Sequence, residues 1–161
     1  MGACGSFLAK KYAPPHGISI KVSPSTVQRE LSRSHVLLID DDTITLKFYK
    51  RLCERNDCKV TTIKDGTQAV AAIGLATLTQ DPITFVLCDK EMSECDGFET
   101  VCEIAKIIAP PPIFIHTGTL EVGDQVKFTK AGAVSVVTKP LTDANVILYI
   151  ALSRELNRNK V

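Results

Sequence analysis

The sequence has no apolar run long enough to span a bilayer, so any membrane contact has to come from its surface or from attached lipid. It also has no excess of charge. Its 19 basic residues stand against 18 acidic ones, a net of +1, which removes any whole-molecule argument for nucleic-acid binding. A secretory signal is absent, and so is the paired Cys-x-x-Cys spacing of a zinc site. The six cysteines, Cys4, Cys53, Cys58, Cys88, Cys95 and Cys102, therefore read as thiols of a reducing, intracellular and cytoplasmic setting. There is no internal repeat beyond an alternation of strand and helix patterns. At 161 residues the expectation is one domain with a real core and no fused output domain.

What charge there is lies unevenly. Residues 1–34 carry Lys10, Lys11, Lys21, Arg29 and Arg33 against Glu30 alone, a net of +4, which leaves about −3 for the rest. Residues 1–33, with Pro14-Pro15-His16-Gly17 and Ser23-Pro24-Ser25, read as an extended basic leader, with one helical turn capped by Ser25 and Gln28. Met1-Gly2-Ala3-Cys4-Gly5-Ser6 fits the N-myristoylation pattern at Gly2, and Cys4 adds a palmitoylation position. One myristoyl chain anchors weakly, so Cys4 or the Lys10-Lys11 pair would have to supply the second signal for the inner face of a membrane. A chance match is the competing reading.

Residues 34–161 read as the folded domain. Buried-strand runs at Val36–Ile39, Thr84–Cys88, Ile113–His116 and Val134–Thr138 alternate with helical patterns at about 43–55, 65–76, 97–108, 120–131 and 142–157. Asp65-Gly66 turns the chain after a second strand, Pro110-Pro111-Pro112 stops the third helix, and Gly132 ends the fourth. Five strand-helix units in series predict an α/β, doubly wound, five-stranded parallel sheet, because parallel strands need crossover connections.

Polar residues sit where these strands end: Asp40-Asp41, Asp89, Thr117 and Lys139-Pro140, the last a cis-proline type of step. In an open parallel sheet they converge in the crevice outside the carboxyl ends of the strands. Three carboxylates at one place repel unless a cation joins them, and Mg²⁺, a hard ion that takes oxygen ligands, suits Asp40, Asp41 and Asp89. An Asp carboxylate then serves as nucleophile in phosphoryl transfer. Thr117 offers a hydroxyl to a phosphoryl oxygen, Gly118 leaves room beside it, and Lys139 supplies charge opposite the metal. Asp42 directly follows the metal pair and is expected to cap the next helix.

In this order the stretches Val36–Asp42, Cys88–Gly97, Thr117-Gly118 and Thr138-Lys139-Pro140 resemble the receiver domain of two-component response regulators, over roughly residues 34–157. The resemblance implies a flavodoxin-like sheet in strand order 2-1-3-4-5. It implies Asp89 as acceptor of phosphate from a phosphohistidine, on a histidine kinase or a histidine phosphotransfer protein. Asp40 and Asp41 would hold Mg²⁺ with the backbone carbonyl of Glu91, and Thr117 and Lys139 would read the phosphoryl group. Glu91 and Thr119 stand where the family flanks the attacking water, and so tune phosphate lifetime in a direction left open. The chain departs from the family at Ser93, where proline is usual, at Cys95, where methionine is usual, and at Val136, where an aromatic residue is usual.

The expected activity is a stand-alone receiver that relays or switches a signal through a partner protein and turns over no external substrate. Two other classes compete. An Asp-Mg²⁺ phosphatase needs a substrate-covering insertion that the short loops leave no room for, and a constitutive binding module has no use for the full acid, Thr and Lys set. His116 and Cys88 are expected to pack in the core, and Cys95, in the loop beside the acids, to be the cysteine open to oxidation. In the last helix Val146, Ile147 and Ile150 are expected to cover the sheet. Leu148, Tyr149 or Leu152 would then face solvent, as part of a partner face with the fourth helix and last strand.

Overall fold

A computed structural model of the chain describes residues 34–158. The leader, with Gly2, Cys4 and the turn expected at Ser25, lies outside the described residues. The elements run β1 (His35–Ile39), α1 (Thr43–Arg55), β2 (Lys59–Ile63), a 3₁₀ turn (Gly66–Gln68) leading into α2 (Ala69–Leu78), and β3 (Phe85–Asp89). They continue with α3 (Gly97–Ala105), β4 (Ile113–Thr117), α4 (Asp124–Ala131), β5 (Ser135–Thr138) and α5 (Asp143–Arg158). The strands form one sheet in the order β2-β1-β3-β4-β5, every pair parallel. This is the doubly wound, flavodoxin-like architecture expected from the strand-helix alternation.

The period of two along each strand divides the core into two layers. Val36, Leu38, Phe85, Leu87 and Phe114 pack under α1 and α5 with Leu46, Tyr49, Leu52, Tyr149 and Ile150. Leu37, Ile39, Val86, Cys88, Ile113 and Ile115 pack under α2, α3 and α4 with Ile73, Val101, Ile104 and Phe128. Strands buried on both faces explain why β1, β3 and β4 read as unbroken apolar runs.

Several element ends differ from expectation for local reasons. The side chain of Asp65 accepts from the Thr67 N–H, so a 3₁₀ turn forms first and α2 starts at Ala69. α3 ends at Ala105, where the N–H groups of Lys106 and Ile107 bond back three residues, to Glu103 and Ile104, and tighten the turn. α4 starts at Asp124 rather than near 120 because Gly123 sits at φ +96°, outside helical space. Gly132, at φ +119°, closes α4 as expected.

The inward face of α5 is also different. Val146, Tyr149, Ile150 and Ser153, at spacings of three and four, are buried, Leu152 is buried too, and Ile147 is exposed. The reciprocal bonds between Thr142 and Asn145 at the start of the helix belong to this phase. Tyr149 tolerates burial because its hydroxyl is 3.0 Å from His116 Nε2 and its ring stacks on Phe114 at 4.2 Å.

Candidate functional site

The site is assembled where β1, β3, β4 and β5 end. Asp40 follows β1 directly, and its N–H reaches the carbonyl of Ile63 on β2 (3.3 Å), so the residue is held by the sheet and buried. Its Oδ1 accepts from the N–H of Asp42 (2.9 Å). Asp42 in turn caps α1, accepting from Ile44 and Thr45, as expected. Asp41 is exposed, and its Oδ2 accepts from the N–H of Ser93 (2.9 Å). That contact gives Ser93 a function proline has no donor for: it ties the β3–α3 loop to the acid pair.

Asp89 ends β3. The chain passes close beside it at Gly97, where a Cβ would run into the Asp89 carbonyl and come within 2.9 Å of the Lys90 Cα, so only glycine fits. Asp96-Gly97 keeps the loop exit as expected, with the Asp96 side chain capping α3 at Glu99. One carboxylate oxygen from each of Asp40, Asp41 and Asp89 falls within a group spanning at most 4.8 Å. Lys139, joined to Pro140 by a cis peptide bond, places its Nζ 2.9 Å from Asp40 Oδ2 and 3.0 Å from Asp89 Oδ1.

The electrostatics follow from that packing. Burial pushes the Asp89 carboxyl above the ordinary carboxylate range; the Lys139 hydrogen bond opposes this, and the nearby Asp40 adds to it. Burial alone would lower Lys139, but the hydrogen bonds to Asp40 and Asp89 outweigh it and hold the ammonium firmly charged. One cation thus serves two buried acids while Asp41 stays in water, which leaves the three carboxylates short of positive charge.

Thr117 ends β4 and is fully buried. Its hydroxyl donates to the Thr119 carbonyl (2.7 Å) and accepts from the Thr119 N–H (3.1 Å). Gly118 and Thr119 are exposed, and a Cβ at Gly118 would meet nothing within 4 Å. Glu91 is exposed two residues past Asp89. His116, one residue before Thr117, points into the opposite layer between Tyr49 and Tyr149, and burial depresses it to about 4. Cys88 is buried and its thiol is driven well up, mainly by burial. Cys95, expected to be open to oxidation, is instead buried against Thr100, because the loop folds back over α3; burial raises its thiol as well.

Three residues of this region, Lys90, Glu121 and Asp124, escaped the sequence reading. Lys90, next to Asp89, reaches Asp124 Oδ2 (2.9 Å) and Glu121 Oε2 (3.3 Å) at the start of α4. A lysine following a buried strand needs a partner, but nothing in the sequence points to one 34 positions away.

A parallel α/β sheet in this strand order, with carboxylates, a threonine and a lysine at its strand ends, is the architecture of receiver domains. The chain belongs to the response-regulator receiver family: the model of the "Response regulator receiver domain" matches residues 36–151. Among curated relatives it is 32% identical to the transcriptional regulatory protein GlrR of Escherichia coli K12 over 127 residues, 78% of this chain and 27% of GlrR. It is 28% identical to the transcription factor SKN7 of Candida albicans over 145 residues, 86% of this chain and 25% of that protein. The chain therefore spans about a quarter of the length of these relatives. The fold matches the crystal structure of a response regulator receiver domain protein from Clostridium thermocellum, with a TM-score of 0.69 and 24% identity, covering 80% of this chain and 99% of that one.

Proposed function

We propose that Asp89 accepts a phosphoryl group from a phosphohistidine donor and that the phosphorylated chain passes its state to a partner protein. The observation that carries this reading is the grip of one lysine on two buried acids: Lys139 lies at 2.9 and 3.0 Å from Asp40 and Asp89, with Asp41 completing the acid group. In the transfer an Asp89 carboxylate oxygen attacks phosphorus as the P–N bond breaks. The imidazole leaves with the electron pair of that bond and takes up one proton. Lys139 balances charge on the phosphoryl oxygens, and Thr117 donates its hydroxyl to one of them.

Asp40, Asp41, Asp89 and the backbone carbonyl of Glu91 are the groups that would hold Mg²⁺, and the donor set fits a hard cation, being all oxygen and deficient in positive charge. Bound there, Mg²⁺ would neutralise phosphoryl oxygens and the crowded carboxylates. Glu91 and Thr119 are exposed at the mouth of the site, where they would meet the water that hydrolyses the acyl phosphate. The partner would read α4, β5 and α5, a reading supported by exposed Val126 on α4 and Ile147 on α5, with Leu120 and Val122 exposed in the segment that leads into α4. With Val136 at the position usually aromatic, signal would travel by Thr117 and its loop or by Lys139 and α5.

Incubation with acetyl phosphate and Mg²⁺ tests the acceptor: intact mass should rise by one phosphoryl group in the wild type and not in Asp89→Asn. A wild type that gains no mass with any donor refutes the proposal and favours a binding module. We also propose acylation at Gly2 and Cys4, which rests on the Met1–Ser6 pattern. An unmodified Gly2 in protein from native cells ends it.

A further inference from the structure

Lys90 has its backbone clamped on both sides. Its N–H donates to the His116 carbonyl on β4 (2.8 Å), and its own carbonyl accepts from Gly97 at the start of α3 (3.0 Å). From that anchor the side chain runs to Asp124, the first residue of α4, at 2.9 Å, and to Glu121 at 3.3 Å. The pair is nearly enclosed, with the Lys90 side chain 13% and that of Asp124 6% exposed. The same Asp124 oxygen accepts from the N–H of Glu121 (2.9 Å). The Glu121 N–H and then Lys90 hold Asp124 below the ordinary carboxylate range, and the Asp124 hydrogen bond holds Lys90 above the ordinary lysine range. Both groups are ionised near neutrality.

The segment 118–123 between β4 and α4 is thus held at its two ends. At one end the Thr117 hydroxyl is committed to the Thr119 carbonyl. At the other, Asp124 and Glu121 are tied to the residue next to the acceptor. The first turn of α4 has a second tether, since Gln125 Oε1 accepts from the N–H of Val136 on β5 (3.0 Å). Thr117 has one hydroxyl proton, so it can donate to a phosphoryl oxygen only by giving up the Thr119 carbonyl, and the segment that carries Thr119 is the one these ties hold in place.

Resting on the reading of Asp89 as acceptor, we infer that Lys90 is a positioning residue for that phosphoryl transfer. Its ion pairs with Asp124 and Glu121 hold the 118–123 segment, and with it the Thr117 hydroxyl, in the arrangement of the unphosphorylated chain. Lys90 thereby restrains phosphate acceptance. The restraint acts through Thr117, with no contact between Lys90 and the phosphoryl group required.

The test compares full-length wild type with Lys90→Met, Asp124→Asn and the double variant. Acyl-phosphate formation from acetyl phosphate with Mg²⁺ is followed, and so is amide hydrogen exchange across 118–123 before any phosphodonor is added. Either single variant should speed phosphorylation roughly 3- to 10-fold, and the double variant should be no faster than the faster single, because both remove one interaction. Exchange in 118–123 should quicken while β4 stays protected. Lys90→Arg should return both readouts toward wild type, and Lys106→Met, which breaks an exposed lysine pair with Glu103, should change neither. A merely structural role would lower thermal stability without this pattern. Asp124→Asn, close in shape to the native residue, answers the question if Lys90→Met folds poorly. A wild type that is labelled while both single variants are labelled at the same or a lower rate overturns the inference and leaves the acceptor reading intact, as does unchanged exchange in 118–123. A wild type that is never labelled overturns both.

Discussion

His116 stands one residue from Thr117 but packs against Tyr49 and Tyr149 in the opposite layer, and its consequence is for stability. The ring is buried between two tyrosines, its Nε2 is paired with the Tyr149 hydroxyl, and its Nδ1 has no hydrogen-bond partner among the described residues. Burial lowers it from 6.5 to about 4. Between those values the unfolded chain binds more protons than the folded one, so this contribution is fully present above pH 6.5 and is lost as pH falls toward 4. A shift of that size corresponds to about 3 kcal/mol. Urea unfolding of wild type should weaken over this range, and His116→Phe should show a shallower pH dependence there, although it also loses the Tyr149 hydrogen bond. At this scale the strand-end acids, Thr117 and Lys139 were legible because each is polar where an apolar run stops. The Lys90–Asp124 pair was not, since a long-range ion pair leaves no periodic signal.

Among the elements, α3 approaches the end of β3 very closely. Gly97 starts α3 with the Asp89 carbonyl where its Cβ would be, so the helix enters at a distance no other residue permits. Gly97→Ala is expected to cost about 1–3 kcal/mol in chemical denaturation by forcing the backbone apart, and to slow phosphorylation by displacing the loop that carries Ser93. Loss of neither stability nor rate would show that the loop yields freely. The sequence reading located each α-helix of the described residues but misjudged ends and one face. Asp42 and Gly132 were readable as caps because their chemistry is local. The phase of α5 was not, because Val146–Leu152 is apolar throughout and a hydrophobic pattern cannot choose among its faces. Here the hydroxyl of Tyr149 finds His116, a partner on another element, and that contact goes with the burial of its ring.

For the whole molecule, one sheet brings residues nearly a hundred positions apart into a single charged cluster. Asp40 and Lys139 meet only because β1 and β5 end on the same side of a sheet whose order places β3 and β4 between them. The strand order came from family resemblance, since periodicity alone gives five parallel strands in no particular sequence. Cation binding by the folded acids would be linked to folding. At about ten times its dissociation constant, Mg²⁺ should stabilise the chain by about 1.4 kcal/mol and raise its thermal midpoint by a few degrees. Asp41→Asn should reduce that increment, and an equal increment in both proteins would place the cation elsewhere.

The central claim is that Asp89 is where phosphate arrives, and mapping the bond is its most direct test. After transfer from a phosphohistidine donor, borohydride reduction converts an acyl phosphate to an alcohol, and peptide mass analysis locates the change. The expected result is a single modified position, Asp89, that vanishes when Mg²⁺ is chelated. A modification at Asp40, at Asp41 or at no residue of the cluster would contradict the account.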